Sequence, residues 1–141
     1  LEAGLCLYGH DIDETTTPIE GSLGWTIGKR RRAEANFPGA KIIMEQIFSG
    51  AARKRVGILP EGKAPARAHT EIMDASGKII GEITSGGYGP TVGGPIAMGY
   101  VETTFAKVGT EIELMVRGKG RPAKIVAMPF IEKNFHRPAV K

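Results

Sequence analysis

The stretch Thr84-Ser-Gly-Gly-Tyr-Gly-Pro-Thr-Val-Gly-Gly-Pro-Ile-Ala-Met-Gly-Tyr-Val101 decides how the second half of the chain is organised. One alternating run ends at Ser85 and a second apolar run begins at Ile96. Between them, glycines reach positive φ without a Cβ penalty, while Pro90 and Pro95 fix φ and remove amide donors. We therefore predict two strands joined by a turn-rich connection that no helix or central strand holds and that runs close to another surface.

This connection has two interpretations, which the sequence alone leaves open. It is either a long loop of an all-β domain or a segment of backbone that lines a pocket or an interface. A phosphate-binding loop is not indicated, because no Gly-Lys-Ser/Thr signature follows and the next run has the period of a strand.

Short alternating runs separated by glycine-containing turns fill the chain from about residue 52 onward. In the cleanest of them, Ile112, Leu114 and Val116 share one face, because side chains alternate along a strand. Repeated short strands of this kind predict a small sandwich or barrel, so the expected fold class is mostly β. The strand candidates are 54–59, a hairpin over 71–80 that turns at 74–77, 110–116 and 123–128.

The first third of the chain is less regular. Thr17 as N-cap, Pro18 at the first helical position and Glu20 at the third predict a short helical turn with a capping box. Residues 23–27 read as a short strand that the basic run 29–32 ends.

The strongest helix pattern covers residues 39–48, where apolar side chains recur on one face and Ser49-Gly50 follows. We place a domain boundary near Gly50. Residues 1–50 then form an α+β segment that is not self-sufficient, and residues 51–141 form the β domain.

Composition bounds the class of protein. The chain has 141 residues, of which 41% are hydrophobic and 24% charged, which suits one globular domain or one domain plus part of another. The formal charge of +4 allows an acidic partner or an anionic ligand. No apolar run approaches the roughly 20 residues of a membrane helix, so no membrane partner is expected. The sequence begins at Leu1 without Met, and we expect a fragment of a longer protein.

Few residues form a recognisable chemical site. The three histidines are far apart and no metal-binding motif occurs, so no metal is expected. The single cysteine, Cys6, excludes an internal disulfide, favours a reducing compartment, and lies in an apolar run where a buried thiol is inert.

The basic clusters 29–32 and 53–55 are interpreted as solvated faces, as docking surfaces for an acidic protein, or as contacts to an anionic ligand. Nucleic acid is not expected, because no aromatic residues interleave them.

Trp25 is the one tryptophan, and its default interpretation is a core residue. Alternatively, Glu20 and the hydroxyl of Tyr8 supply a carboxylate and a polar tip that hydrogen-bond the edge of a flat heteroaromatic ligand. The residues by themselves therefore indicate a basic, mostly β domain and no specific activity.

Several blocks, in this order, resemble the aminomethyltransferase family of the glycine cleavage system, the T-proteins. The resemblance covers nearly the whole chain. The blocks are Leu1-Glu-Ala-Gly-Leu-Cys-Leu-Tyr-Gly9, Thr17-Pro-Ile-Glu-Gly-Ser-Leu-Gly-Trp25, Gly28-Lys-Arg-Arg-Arg32, Arg53-Lys-Arg-Val-Gly57, Thr84-Ser-Gly-Gly87, Ala97-Met-Gly-Tyr-Val101, Val116-Arg-Gly118 and Met128-Pro-Phe130.

The resemblance implies a fold and an activity. Members of the family take an aminomethyl group from the lipoyl arm of H-protein, release ammonia and pass the one-carbon unit to tetrahydrofolate. Residues 1–50 would then be the end of the folate-binding domain, and residues 51–141 the C-terminal β-barrel domain. The family's catalytic aspartate lies upstream, so no catalytic residue is expected here and this chain alone is expected to be inactive.

The resemblance also suggests folate-binding residues. Tyr8 follows the first motif and is a folate-proximal candidate, while Glu20 and Trp25 match motif positions. Phe135 and Arg137 are candidates for the benzoyl-glutamate end of the ligand. H-proteins are typically acidic, so one of the two basic clusters would face H-protein.

Two alternatives stay open at this point. One is the folate-binding region of a sarcosine or dimethylglycine dehydrogenase, and the other is a non-catalytic folate-binding module of the tRNA-modifying type. The expected compartment is the bacterial cytoplasm or the mitochondrial matrix.

Overall fold

A computed structural model describes residues 1–132, and a closed antiparallel barrel of six strands dominates it. The order of strands around the barrel is β1-β4-β3-β2-β5-β6, and β6 returns to pair with β1. The mostly β fold and the barrel predicted from residue 52 onward are confirmed. The strands are β1 (Arg53–Pro60), β2 (Glu71–Met73), β3 (Ile79–Gly89), β4 (Gly94–Glu102), β5 (Glu111–Val116) and β6 (Lys119–Val126).

Apolar side chains from every strand fill the barrel. Ile58, Ile83 and Leu114 are fully buried, and Ile112 is 3% exposed while its neighbours Glu111 and Glu113 are exposed. The alternation predicted for residues 110–116 is therefore confirmed for β5. The hairpin turn predicted at 74–77 is also confirmed, since β2 ends at Met73 and β3 begins at Ile79.

The glycine-rich stretch forms strand where its composition predicts a long connection. β3 continues to Gly89 and β4 begins at Gly94, so the connection is residues 90–93 alone, and the prediction that no central strand holds this stretch is wrong. The physical reason is a close approach of backbone. A Cβ on Gly86 would lie 2.1 Å from the carbonyl oxygen of Ala66, so only glycine lets that loop run against the strand. The predicted proximity to another surface is confirmed by the same contact.

The N-terminal third contains two helices, α1 (Lys29–Glu34) and α2 (Ala40–Ser49), and the latter confirms the helix predicted at 39–48. The strand predicted at 23–27 is wrong, because Gly24–Thr26 form a 3-10 turn. Arg32 donates to the carbonyl oxygens of Gly24 and Ile27, which satisfies backbone acceptors that a strand partner would otherwise need. The 3-10 turn Thr103–Phe105 follows β4.

The predicted capping box at Thr17 is present. Thr17 N–H donates to Glu20 Oε2 at 3.0 Å, and Glu20 N–H donates to Thr17 Oγ1 at 3.1 Å. A single helical turn follows, in which Gly21 N–H donates to the Thr17 carbonyl at 3.0 Å.

Within residues 1–132, no helix is long and apolar enough to cross a lipid bilayer.

Candidate functional site

A cleft of about 570 Å³ separates the N-terminal segment from the outside of the barrel. Residues 3–6 and 22–25 form one wall, while the start of β1 and residues 125–132 form the other. The lining is mainly apolar, with Lys54, Arg55 and Glu132 as its charged members. A cavity of this size and character is in the range of small-molecule sites.

Asp11 fixes the N-terminal segment to the barrel. Its side chain is buried, with 1% exposure, and its carboxylate accepts hydrogen bonds from Leu7 N–H at 2.9 Å and from Thr84 Oγ1 at 2.5 Å. Tyr100 donates from its hydroxyl to the Asp11 carbonyl at 2.7 Å. Burial raises the pKa of Tyr100 to about 12, so this hydroxyl remains a donor throughout the neutral range.

Glu2 makes a second attachment, at the hairpin turn between β3 and β4. Its Oε1 atom accepts from Thr91 N–H at 2.7 Å and from Val92 N–H at 3.0 Å. The backbone hydrogen bond from Val92 is the main reason why the pKa of the Glu2 carboxyl is lowered. The Glu2 carbonyl also accepts from Phe130 N–H at 2.9 Å, which holds the segment after β6 beside the N-terminal segment.

Arg55 lies at the floor of the cleft, and its position corrects the interpretation of 53–55 as one solvated cluster. It is 4% exposed, whereas Arg53 and Lys54 are exposed. Its Nε donates to the Gly21 carbonyl at 2.9 Å and its Nη1 to the Gly4 carbonyl at 3.1 Å. Arg55 therefore joins both parts of the N-terminal wall to β1.

The cluster at 29–32 is exposed on α1, in agreement with a solvated face. Arg53 is instead engaged at the edge of the barrel. Its guanidinium lies 4.8 Å from the centre of the Tyr100 ring, and its Nε is 3.4 Å from Glu20 Oε1.

Three of the candidate folate residues lie within the described chain, in three different settings. Trp25 lines the cleft and is 79% exposed, so its interpretation as a core residue is wrong. Tyr8 is 67% exposed, and its hydroxyl donates to Glu14 Oε2 at 3.4 Å. The Glu20 carboxylate is engaged by Thr17 N–H and Arg53. No hydrogen bond links Tyr8 to Glu20 in residues 1–132.

The other two candidates, Phe135 and Arg137, lie outside the described residues.

Cys6 lines the cleft, and burial raises the pKa of its thiol, which disfavours the nucleophilic thiolate. Sequence reasoning missed Asp11 and Arg55. Asp11 falls in a polar run that resembles an exposed loop. For Arg55, the one available signal is the alternation of β1, which places it on the same face as Gly57 and on the opposite face from Lys54.

Comparison with known proteins gives a consistent family. The model of the glycine cleavage T-protein C-terminal barrel domain matches residues 53–132. The mitochondrial aminomethyltransferase of Solanum tuberosum is 49% identical over 138 residues, which cover 98% of this chain and 34% of that protein. The mitochondrial aminomethyltransferase of Homo sapiens is 51% identical over 136 residues, which cover 96% of this chain and 34% of that protein.

The fold agrees with a solved relative. The glycine cleavage system aminomethyltransferase T from Bartonella henselae superposes with a TM-score of 0.92 at 43% sequence identity, over 96% of this chain and 38% of that one. The chain thus spans about a third of the length of these relatives. Since the barrel model matches more than half of the chain, this chain belongs to the glycine cleavage T-protein family, in the part that holds the C-terminal barrel domain.

Proposed function

We propose that the chain is the C-terminal part of a glycine-cleavage aminomethyltransferase, which moves a one-carbon unit from aminomethyl-lipoyl H-protein to tetrahydrofolate and releases ammonia. The observation that supports this most directly is similarity over 98% of the chain to the Solanum tuberosum aminomethyltransferase, since it includes the N-terminal segment as well as the barrel. The resemblance implies that the family's catalytic aspartate belongs to the part upstream of the matched region, so in this proposal the chain contributes binding surface to the transferase. The compartment follows the relatives and is the mitochondrial matrix or the bacterial cytoplasm.

The cleft has the features that tetrahydrofolate requires. The ligand has a flat pterin and an anionic glutamate end, and when bound it accepts the one-carbon unit. The exposed indole of Trp25 offers a stacking surface, and Lys54 offers a positive charge on the same cavity. Tyr8 does not line the cleft, but it is exposed and follows Cys6, which does, by two residues.

The remaining folate candidates have distinct parts in this proposal. Glu20 acts on the ligand through its neighbours, because its two carboxylate oxygens already accept from Thr17 N–H and contact Arg53. Phe135 and Arg137, outside the described residues, stay candidates for the benzoyl-glutamate end on the resemblance alone. The domain boundary near Gly50 also stays a proposal, with the folate-binding domain ending there.

For H-protein, the proposed docking surface is one of the two exposed basic regions. α1 presents Lys29 to Arg32 to solvent, and the start of β1 presents Arg53 and Lys54. Arg55 is buried and takes no part. An acidic partner would be attracted to either region, and charge raises the rate of encounter.

The test is a tetrahydrofolate titration followed by tryptophan fluorescence. It uses this chain and a protein extended upstream to the length of the relatives, each with a Trp25→Phe control that removes the signal from the cleft. We expect the extended protein to bind and to transfer the one-carbon unit from H-protein. Failure of the extended protein to bind tetrahydrofolate would overturn the proposal.

The transfer assay separates the alternatives. Binding of tetrahydrofolate without transfer from H-protein would favour the non-catalytic, tRNA-modifying type of module. A dinucleotide-binding fingerprint in the upstream sequence would instead favour the dehydrogenase type. A quenching response of this chain alone would place measurable folate affinity in residues 1–141.

A further inference from the structure

A second cavity, of about 510 Å³, opens at one end of the barrel and shares no residue with the cleft. We call it the barrel mouth. The loop between β1 and β2 and the β5–β6 hairpin form it, and its lining includes Pro65, Arg67, Met115, Val116, Arg117 and Arg121. The cleft lies near the other end of β6, at Ile125 and Val126. The mouth of a β-barrel is a frequent position for a ligand site.

The strand register brings Arg121 to this opening. Arg121 pairs with Leu114 across β5 and β6, and directly paired residues project to the same face of a sheet. Leu114 is fully buried inside the barrel, so Arg121 occupies the inward face at the point where the barrel opens. By the same alternation Lys119 also takes the inward face, next to the β5–β6 turn, whereas Ala123 and Ile125, deeper in the barrel, are apolar and buried. The inward face of β6 therefore changes from apolar to basic at the opening.

Two further arginines border the same opening. Arg117 lies in the β5–β6 turn with a left-handed φ of 53°, a conformation that non-glycine residues seldom adopt. The loop arginine, Arg67, makes one long hydrogen bond, from Nη1 to the Gly86 carbonyl at 3.4 Å. Three arginines therefore line one cavity.

No carboxylate neutralises these three arginines within residues 1–132, where the ion pairs are Arg30–Glu34, Arg53–Glu20, His69–Glu82 and Lys78–Glu102. Segments 61–70 and 113–121 contain five Lys or Arg residues and two Glu residues, a local charge of +3 with His neutral. Of the two glutamates, Glu113 lies on the outward face of β5, and the backbone of Glu61 donates to the Pro122 carbonyl.

We propose that the barrel mouth binds a small multivalent anion with carboxylate or phosphate groups. Guanidinium groups match both groups with paired hydrogen bonds, and three of them around one opening favour a ligand with more than one negative charge. Pro65, Met115 and Val116 give the cavity an apolar wall that accommodates a short carbon body. This site shares no residue with the proposed folate cleft, so the anion proposal and the folate proposal are tested by separate measurements.

The test is isothermal titration of the full 141-residue chain at low ionic strength, with inorganic pyrophosphate in one arm and citrate in the other. The double variant Arg67→Gln/Arg121→Gln removes two mouth charges. The control Lys107→Gln/Lys124→Gln removes two exposed charges that do not line the mouth. We expect at least tenfold weaker binding in the first variant and a change under twofold in the control.

The two arms identify the anion, since tighter binding of pyrophosphate indicates a phosphate ligand and tighter binding of citrate a carboxylate ligand. Absence of binding to both would overturn the proposal. So would equal weakening in the two double variants, because that result indicates diffuse surface charge. If the double variant fails to fold, Arg121→Lys, which keeps the charge and removes the planar fork, is expected to weaken binding by a measurable factor, and unchanged binding would refute the site.

Discussion

Replacing Gly86 with alanine tests whether close backbone approach, and not chain flexibility, explains the glycines of β3. The new Cβ would lie 2.1 Å from the Ala66 carbonyl oxygen and 3.3 Å from the Cβ of Ala97. Real Cβ contacts with oxygen do not fall below about 3 Å, so the loop or the strand must move by roughly 1 Å. Neither neighbour is the flexible end of a long side chain.

The magnitude follows from what the movement disturbs. Overpacking a fitted site costs about 1–3 kcal/mol. The same loop is held to β3 by hydrogen bonds between His69 N–H and the Ile83 carbonyl, at 2.8 Å, and between Ile83 N–H and the Thr70 carbonyl, at 2.9 Å. Loss of one adds about 1 kcal/mol. Alanine also restricts the unfolded chain, which offsets about 0.4–1 kcal/mol. We expect a net loss of about 1–3.5 kcal/mol in the free energy of unfolding, with a central value of about 2 kcal/mol.

The neighbouring glycine provides a matched control. A Cβ on Gly87 would meet Arg67 Nη1 at 3.8 Å and Leu1 Cδ2 at 3.9 Å, which are ordinary contacts. Gly87→Ala should therefore leave the free energy of unfolding unchanged or raise it by up to about 1 kcal/mol.

Urea unfolding of both variants, followed by circular dichroism, measures the difference. With an m-value of about 2 kcal/mol per molar urea, the midpoint of Gly86→Ala should fall by about 1 M. Equal midpoints for the two variants would refute the steric argument. A large loss in Gly87→Ala would instead indicate that both glycines serve the backbone conformation of the strand.

Two further predictions concern the attachment of the N-terminal segment. Thr84→Val leaves a buried oxygen of Asp11 without its donor, so it should lower the free energy of unfolding by about 1–3 kcal/mol. Thr84→Ser retains the hydroxyl and should lower it less. Urea unfolding midpoints of the two variants measure the difference. The pKa of the Glu2 carboxyl is lowered in the folded chain, so its contribution to stability is present above the ordinary value of 4.5 and is lost as pH falls through the folded pKa. The stability difference between the wild type and Glu2→Gln should therefore be constant near neutral pH and vanish in acid, and a difference that is independent of pH from 7 to about 2 would contradict this assignment.

The barrel could be predicted from the sequence because most of its strands have a local signal of their own. In β5, Ile112 and Leu114 alternate with glutamates, and the turn at 74–77 has residues typical of a hairpin. β3 shows why prediction fails elsewhere. A run with Gly86, Gly87 and Gly89 has the composition of a loop, and only the position of the Ala66 carbonyl, which is distant in sequence, makes glycine the residue that a strand needs there.

The candidate site was predictable only in part, for a related reason. Motif positions point to Tyr8, Glu20 and Trp25, but a motif does not state whether a side chain faces a cavity or supports the backbone. Glu20 supports the capping box, whereas Trp25 projects into the cleft. The burial of Arg55 depends on carbonyl groups of Gly4 and Gly21, which no local pattern brings together.

Polar contacts of Arg55 join the two parts of the N-terminal wall of the cleft. Residues 1–23 contain no regular helix or strand, and the backbone hydrogen bonds within the segment close local turns, such as the bond from Gly21 N–H to the Thr17 carbonyl. Arg55 donates to the Gly4 carbonyl on one part of the wall and to the Gly21 carbonyl on the other, and both bonds originate from one rigid, planar group. The separation of the two parts is therefore set by the guanidinium itself. Lysine at position 55 would lack this planar fork, so the fixed spacing between the two carbonyls of the N-terminal wall is a property of this single side chain.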